Sequence, residues 1–167
     1  QGETASETHS LAPSSPYSAS KAAGDLLALS YFKTHGTDVV VVRPSNNYGP
    51  RQFPEKLLPM CILKAAEGKE IPIYGDGRNE REWTYVEETC VGIILALEKG
   101  RAGEVYNLGS GVVAPNVETV SRLLELMGGG AGTRFVKDRP GHDRRYAMDS
   151  TKAARDLGWR AATGLGD

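Results

Sequence analysis

Apolar residues along the chain alternate between runs at helical spacing and short runs that are apolar throughout. That alternation predicts the fold before any chemistry is considered. Ser14-Ser15-Pro16 opens the first helix: Ser15 is the N-cap, and Pro16 suits the first helical position, where an N–H has no helical partner anyway. The helix is predicted to run to about His35 and stop at Gly36, a residue suited to the left-handed C-cap. Val39-Val40-Val41-Val42 follows, an unbroken β-branched run that predicts a strand buried on both faces, as in a parallel sheet. It empties into a loop from Pro44 to Pro54.

A second helix is predicted from Pro54 or Glu55 to Glu67, closed by Gly68. Then come a short strand at Ile71-Pro72-Ile73-Tyr74, a turn at Gly75-Asp76-Gly77 and an extended stretch from Trp83 to Val86. A helix from about Glu87 to Lys99 ends at Gly100, and Glu104 to Leu108 forms a strand leaving into Gly109-Ser110-Gly111. Behind a cap at Asn116, the residues Val117, Val120, Leu123, Leu124 and Met127 share one helical face, and Gly128-Gly129-Gly130 ends that helix. Ser150 caps a last short helix that closes at Gly158, before Trp159. Helices and strands alternating in this way specify an α/β protein with some parallel sheet. No internal repeat or low-complexity tract interrupts them.

Composition narrows the function classes. With 167 residues, 40% of them apolar, the chain is long enough for a core. A net charge of -1 supplies no global field for nucleic acid or an anionic membrane, and no apolar run reaches the ~18 residues of a membrane span. Cys61 and Cys90 both lie in apolar helical patterns, where buried free thiols are expected rather than a disulfide, as suits a reducing cytoplasm. No Cys, His, Asp and Glu spacing predicts a metal site. Gln1 stands where an initiating Met would, ahead of a polar stretch from Gly2 to Ser15, which fits a processed or a partial sequence.

Tyr17 and Lys21 are four apart at the start of a helix and so share a face. A lysine ammonium a few ångströms from a phenol favours the phenolate, and the pair can serve as a general base that removes a hydroxyl proton. Tyr17-Ser18-Ala19-Ser20-Lys21-Ala22-Ala23, preceded by Ser14-Ser15-Pro16, resembles the active-site helix of the extended short-chain dehydrogenase/reductases. Three further blocks resemble the dTDP-glucose 4,6-dehydratases within that superfamily. They are Ser45-Asn46-Asn47-Tyr48-Gly49-Pro50 with Phe53 to Leu57; Pro72 to Gly77 with Arg81-Glu82-Trp83 and Tyr85-Val86-Glu87; and Asp138 to Tyr146. The blocks run in order along nearly the whole chain. Arg81 and Arg139 suit phosphate oxygens, and Lys56 adds a point charge at a helix start. Asn46 and Asn107 can both donate and accept. Arg144 and Arg145 are expected on a solvated face or in inter-chain pairs. His142, in a Pro-Gly turn, is equally well read as a loop packing residue.

The resemblance implies the C-terminal part of a Rossmann-type doubly wound sheet plus a smaller α/β substrate-binding domain. Residues 1–48 would be a remnant of the NAD-binding domain and 49–167 mainly the nucleotide-sugar-binding part, with about 84–108 returning to the first. Tyr17 would be the base for oxidation at C4 of glucose, with Lys21 holding the nicotinamide ribose and Asn47 against NAD. The substrate, dTDP-glucose by resemblance, would meet Asn46, Lys56, Leu57, Pro72, Ile73, Tyr74, Arg81, Asn107, Asp138, Arg139, Pro140, Gly141 and His142. Family members dimerise through helices that include the tyrosine helix, and the many apolar residues there (Leu26, Leu27, Leu29, Tyr31, Phe32) fit a cytoplasmic homodimer.

Two family features have no counterpart. Gly109-Ser110-Gly111 lacks the third glycine and the downstream acid of a dinucleotide fingerprint, and no Thr-Asp-Glu group for the elimination occurs. Glu3 and Glu7 do not fill that gap. An epimerase or decarboxylase of the superfamily, or a sugar-nucleotide-binding or assembly module without catalysis, therefore stands as the alternative, and the chain alone is expected to be inactive.

Overall fold

Ser15 opens helix α1 (Pro16–His35) by accepting the Ser18 N–H at 3.1 Å, and Gly36 closes it at φ 67°, as the sequence requires. The computed structural model describes residues 4–165. After α1 come β1 (Val41–Pro44), β2 (Asn46–Tyr48), α2 (Leu57–Ala66), β3 (Ile71–Tyr74), β4 (Glu80–Tyr85) and α3 (Val86–Lys99). Then follow β5 (Val105–Leu108), β6 (Val113–Pro115), α4 (Asn116–Leu126), β7 (Thr133–Val136) and α5 (Thr151–Leu157). Strands β1 and β5 pair in parallel, as do β2 with β4 and β3 with β7, while β6 adds antiparallel to β4. The protein is α/β with parallel pairing, as expected.

Several boundaries differ for identifiable reasons. The valine strand begins two residues late, because the Val39 carbonyl accepts from Gly103 and the ladder starts at Val41. It is not buried on both faces: Val41 is buried, but Val42 and Arg43 are half-exposed. Helix α2 starts at Leu57 rather than Pro54, since the Lys56 N–H turns back to the Phe53 carbonyl. Asn116 is the first residue of α4 and not its cap, and no side chain caps that helix. Ser150 stands at the N-cap of α5 as expected, but its hydroxyl accepts the Gly109 N–H at 2.7 Å and makes no capping bond to the helix. Met127 stands at the C-cap, largely outside the buried stripe of α4. Both cysteines are free, yet only Cys61 is buried, its thiol pushed up to about 11 by that burial; Cys90 faces solvent. Strands β6 and β7 were not predicted, and β2 falls in the expected loop, because Asn46, Asn47 and Tyr48 pair in parallel with Trp83, Thr84 and Tyr85.

Two cores organise these elements. One joins α3, β5 and α5 through Ala96, Tyr106, Leu108, Ala153, Leu157 and Trp159. Gly92 lets α3 come this close: a Cβ there would lie 2.6 Å from the Leu108 side chain and 2.9 Å from the Trp159 ring nitrogen. The other joins α2, β3 and α4 through Cys61, Ile71, Ile73 and Val120. Helix α1 contributes no buried residue and leaves Leu26, Leu27 and Tyr31 exposed.

Between the cores, β4 carries a carboxylate with no exposed surface. Glu82 accepts the Gly111 N–H at 2.6 Å and the Met148 N–H at 2.7 Å, one on each oxygen. A Cβ on Gly109 would collide with it. Burial raises the Glu82 carboxyl above its ordinary value of 4.5. A raised carboxyl contributes stability that is full below the unfolded value and is lost as pH rises through the folded one. Urea melts of wild type and Glu82→Gln from about pH 4 upward should therefore show the difference moving in the variant's favour as pH rises. A difference that stays constant with pH would mean that Glu82 titrates like a surface glutamate.

Candidate active site

The first turn of α1 displays Tyr17 and Lys21 together. Both are exposed, Tyr17 by 74%, and the four-residue spacing puts them on one face. Ser15 sets the direction of that turn: its hydroxyl accepts the Ser18 N–H and also lies 2.9 Å from the Ser18 hydroxyl.

A second wall comes from the segment after β7. The Asp138 carboxylate lies 2.6 Å from His142 Nδ1, and this contact, followed by the Arg139 N–H, holds its carboxyl below the usual range. With Nδ1–H donating to Asp138, His142 Nε2 is left as acceptor for the Arg139 guanidinium at 2.9 Å. That guanidinium lies over the Tyr74 ring, 5.1 Å from its centroid. His142 therefore has both of its ring nitrogens engaged. Pro140 is exposed, and Gly141 turns at φ 66° so close to the chain before α1 that a Cβ would sit 3.5 Å from the Ser14 carbonyl.

Asp143 fastens this wall to its surroundings. Its carbonyl accepts from Arg81 at 2.8 Å and Asn79 at 3.2 Å, and its carboxylate accepts the Ser14 hydroxyl at 2.8 Å. Arg81 also donates to the Glu80 carbonyl at 2.6 Å and lies over the Tyr146 ring. Its described hydrogen bonds thus go to carbonyls, and burial pulls its pKa down. An arginine in that state gains from a bound anion. Burial and the neighbouring Asp143 push the Tyr146 phenol up.

Arg144 and Arg145 both pair within the chain, and Arg144 does so on an exposed face. Arg144 grips Asp76 with two bonds of 2.7 and 3.0 Å, which drive the Asp76 carboxyl to about 2, and Arg145 pairs with Glu80. They tie residues 143–146 along β4, where Glu80 and Arg145 form a bridge.

The remaining expected residues lie at differing depths. Asn46 and Asn47 stand on β2 opposite Trp83 and Thr84. Lys56 is exposed just before α2, while Leu57 packs into the α2–α4 core. On β3, Tyr74 is exposed and Pro72 half-buried, but Ile73 is 3% exposed within the core. Asn107 is buried: its amide donates to the Ala5 and Asp149 carbonyls, and its N–H donates to the Glu7 carboxylate at 3.0 Å. So the structure gathers Tyr74, Arg81, Asp138, Arg139, Pro140, Gly141 and His142 beside the chain leading into α1. Ile73 and Asn107 keep their side chains inside.

Ser14, Asp143 and Tyr146 were not singled out from sequence. Asp143 and Tyr146 lay inside a quoted block, but nothing local marks a residue that works through its carbonyl. The apolar groove of about 230 Å³ between α2 and α4, lined by Leu58, Ile62, Leu123 and Leu126, contains none of the expected site residues. Among the described residues no cluster of three or more His, Cys, Asp or Glu could hold a metal ion.

Losing one hydrogen bond of this kind costs about 1 kcal/mol. Ser14→Ala should therefore speed amide exchange across residues 139–143 severalfold while the two cores keep their protection. Unchanged exchange there would show that the Ser14–Asp143 contact holds nothing.

Comparison with known proteins places this geometry. The sequence family described as GDP-mannose 4,6 dehydratase matches residues 1–167. A dTDP-glucose 4,6-dehydratase of Actinoplanes sp. is 57% identical over 92% of this chain and 48% of its own length. A dTDP-glucose 4,6-dehydratase from Streptomyces venezuelae, solved with NAD bound, superposes with a TM-score of 0.94 at 44% identity, over 98% of this chain and 51% of that one. A UDP-glucuronic acid 4-epimerase from Bacillus cereus, in complex with UDP-glucuronic acid and NAD, reaches 0.95 at 32% identity, over 100% of this chain and 54% of its own. The chain spans about half the length of the relatives it matches.

Proposed function

The chain belongs to the GDP-mannose 4,6-dehydratase family, and from that premise we propose that it carries the catalytic tyrosine and the nucleotide-sugar site of an NAD-dependent dTDP-glucose 4,6-dehydratase. The observation that carries this reading is the junction at Asp143. There a half-buried arginine and the Asp138–His142 segment meet the start of the helix that displays Tyr17 and Lys21.

Each residue then has a task that its position supports. Tyr17, open on the first turn, takes the proton from the C4 hydroxyl. Lys21, on the same face, holds the nicotinamide ribose. Arg81 and Arg139 face the diphosphate, where charge-assisted bonds are strongest. The exposed ring of Tyr74 and the backbone of Pro72 and Ile73 line the nucleoside. The donor set fits a nicotinamide dinucleotide too, since Tyr17 and Lys21 are open and, among the described residues, the Asn47 side chain has only its amide oxygen tied down. Tyr17, Lys21 and Asn47 would hold the NAD, which would supply a hydride acceptor for oxidation at C4 and a hydride donor for C6. Asn107 supports the site from inside. The exposed apolar side chains of α1 suit a second copy, giving a cytoplasmic homodimer; among the described residues no helix is long and apolar enough to cross a membrane.

Two experiments test the reading. In the first, the 167-residue chain is titrated with thymidine diphosphate, and Arg81→Ala is expected to weaken binding by about tenfold or more, the worth of a charged hydrogen bond. The same chain alone should bind NAD weakly and form no 4-keto sugar. Equal affinity in the alanine variant would make Arg81 purely structural.

The second experiment uses a chimaera in which this chain replaces the matching half of the Actinoplanes sp. dehydratase. It should convert dTDP-glucose to the 4-keto-6-deoxy product, and Tyr17→Phe should lower turnover by about 100-fold or more with nucleotide affinity retained. A C4-epimerised product instead would favour the epimerase alternative.

A further inference from the structure

Two threonines occupy the same place in two helices and use their hydroxyls differently. Thr89 is the fourth residue of α3 and Thr119 the fourth of α4, and each is 3% exposed. Thr119 does what a helical threonine does by default: its Oγ1 donates one turn back, to the Pro115 carbonyl, at 3.1 Å. The corresponding carbonyl for Thr89 belongs to Tyr85. Thr89 nevertheless donates to Asn47 Oδ1, 2.5 Å away on β2.

That bond gives the Asn47 side chain a direction. A carboxamide has an accepting end and a donating end, and only its partners decide which way it faces. With Oδ1 committed to Thr89, the N–H₂ is the end presented elsewhere. The backbone cannot swing to undo this. Asn47 is in register with Thr84 of β4, and its carbonyl accepts from Gln52 at 2.8 Å. Two residues back, Ser45 and Thr84 share a buried hydroxyl–hydroxyl bond of 2.7 Å.

We infer that Thr89 is a positioning residue that fixes Asn47 as a hydrogen-bond donor, so that Asn47 engages a ligand only through an acceptor oxygen: a carbonyl, a sugar hydroxyl or a phosphate. That the ligand is the nicotinamide dinucleotide rests on the function proposed above; the orientation of the amide does not.

Three variants test this. Thr89→Val keeps the shape and removes the hydroxyl, Thr89→Ser keeps the hydroxyl, and Asn47→Asp keeps an acceptor for Thr89 but turns an acceptor outward. In the chimaera, Thr89→Val and Asn47→Asp should each raise the NAD dissociation constant about tenfold, the loss expected when one hydrogen bond is spoiled. Thr89→Ser should stay within about threefold of wild type, and thymidine diphosphate affinity should not move in any of them. In the ¹⁵N-labelled 167-residue chain, the Asn47 side-chain N–H₂ signals should shift in Thr89→Val and not in Thr89→Ser.

Unmoved signals in Thr89→Val, or a loss of NAD affinity that serine fails to restore, would overturn the inference. If Thr89→Val does not fold, Asn47→Asp decides: retained NAD affinity there rejects the donor role. A chimaera that binds no NAD with Thr89 and Asn47 intact defeats the proposed function instead, and the amide signals alone then decide about Thr89.

Discussion

A carboxylate without exposed surface has to find its hydrogen bonds inside the protein or raise its pKa, and much of this fold is arranged around that demand at Glu82. Its two oxygens take backbone N–H groups from two distant segments, the turn after β5 and the stretch before α5. Gly109 and Gly111 are needed in that turn because a side chain on the first would strike the carboxylate and the second adopts φ 78°. With the stretch before α5 held there, residues 143–146 lie along the start of β4. Arg145 can then pair with Glu80, and Arg81 can reach the Asp143 carbonyl. The buried carboxylate and the candidate site thus share β4 and the stretch from Asp143 to Met148.

The same region shows why polar residues in a site block need not point at a ligand. Asn107 was expected against the substrate, and its amide is instead shared between the Ala5 and Asp149 carbonyls. Glu7, which the sequence left without a role, accepts the Asn107 N–H. Together they join the chain ahead of α1 to β5. Such residues set where the chain that leads into the helix displaying Tyr17 and Lys21 lies against β5. Errors of about 1 Å in such placement carry a large cost in rate.

Helix ends were legible in the sequence wherever a local rule governs them. Ser15, Pro16 and Gly36 bracket α1 because capping depends on a few consecutive residues. Asn116 and Ser150 carried the same local signal, and distant groups change the outcome: Ser150 stands at the N-cap of α5 but its hydroxyl accepts from Gly109, and Asn116, whose N–H donates to the Asn79 carbonyl, falls one residue inside its helix. Strand β1 was shifted for the same reason, the Val39 carbonyl being taken by Gly103. The Tyr17–Lys21 pair and the Asp138–His142 segment were readable as blocks of residue types. Asp143, acting through its carbonyl, and Thr89, acting through Asn47, were not, because their roles depend on contacts 62 and 42 residues away.

What separates one reaction from another in this architecture is therefore not the backbone. The chain superposes on a dehydratase with a TM-score of 0.94 and on a 4-epimerase with 0.95, so the path of the main chain is indifferent to the choice. A tyrosine and a lysine one helical turn apart serve oxidation at C4 in either reaction. The outcome must then be decided by what surrounds the oxidised sugar. Elimination needs an acid and a base beside C5 and C6, whereas epimerisation needs room for the sugar to turn over. The wall fastened by Arg144 to Asp76 and by Arg145 to Glu80 leaves residues 143–146 little freedom to shift. That bracing fixes the position of the segment, but it is compatible with either demand, and the choice rests with the groups that meet C5 and C6.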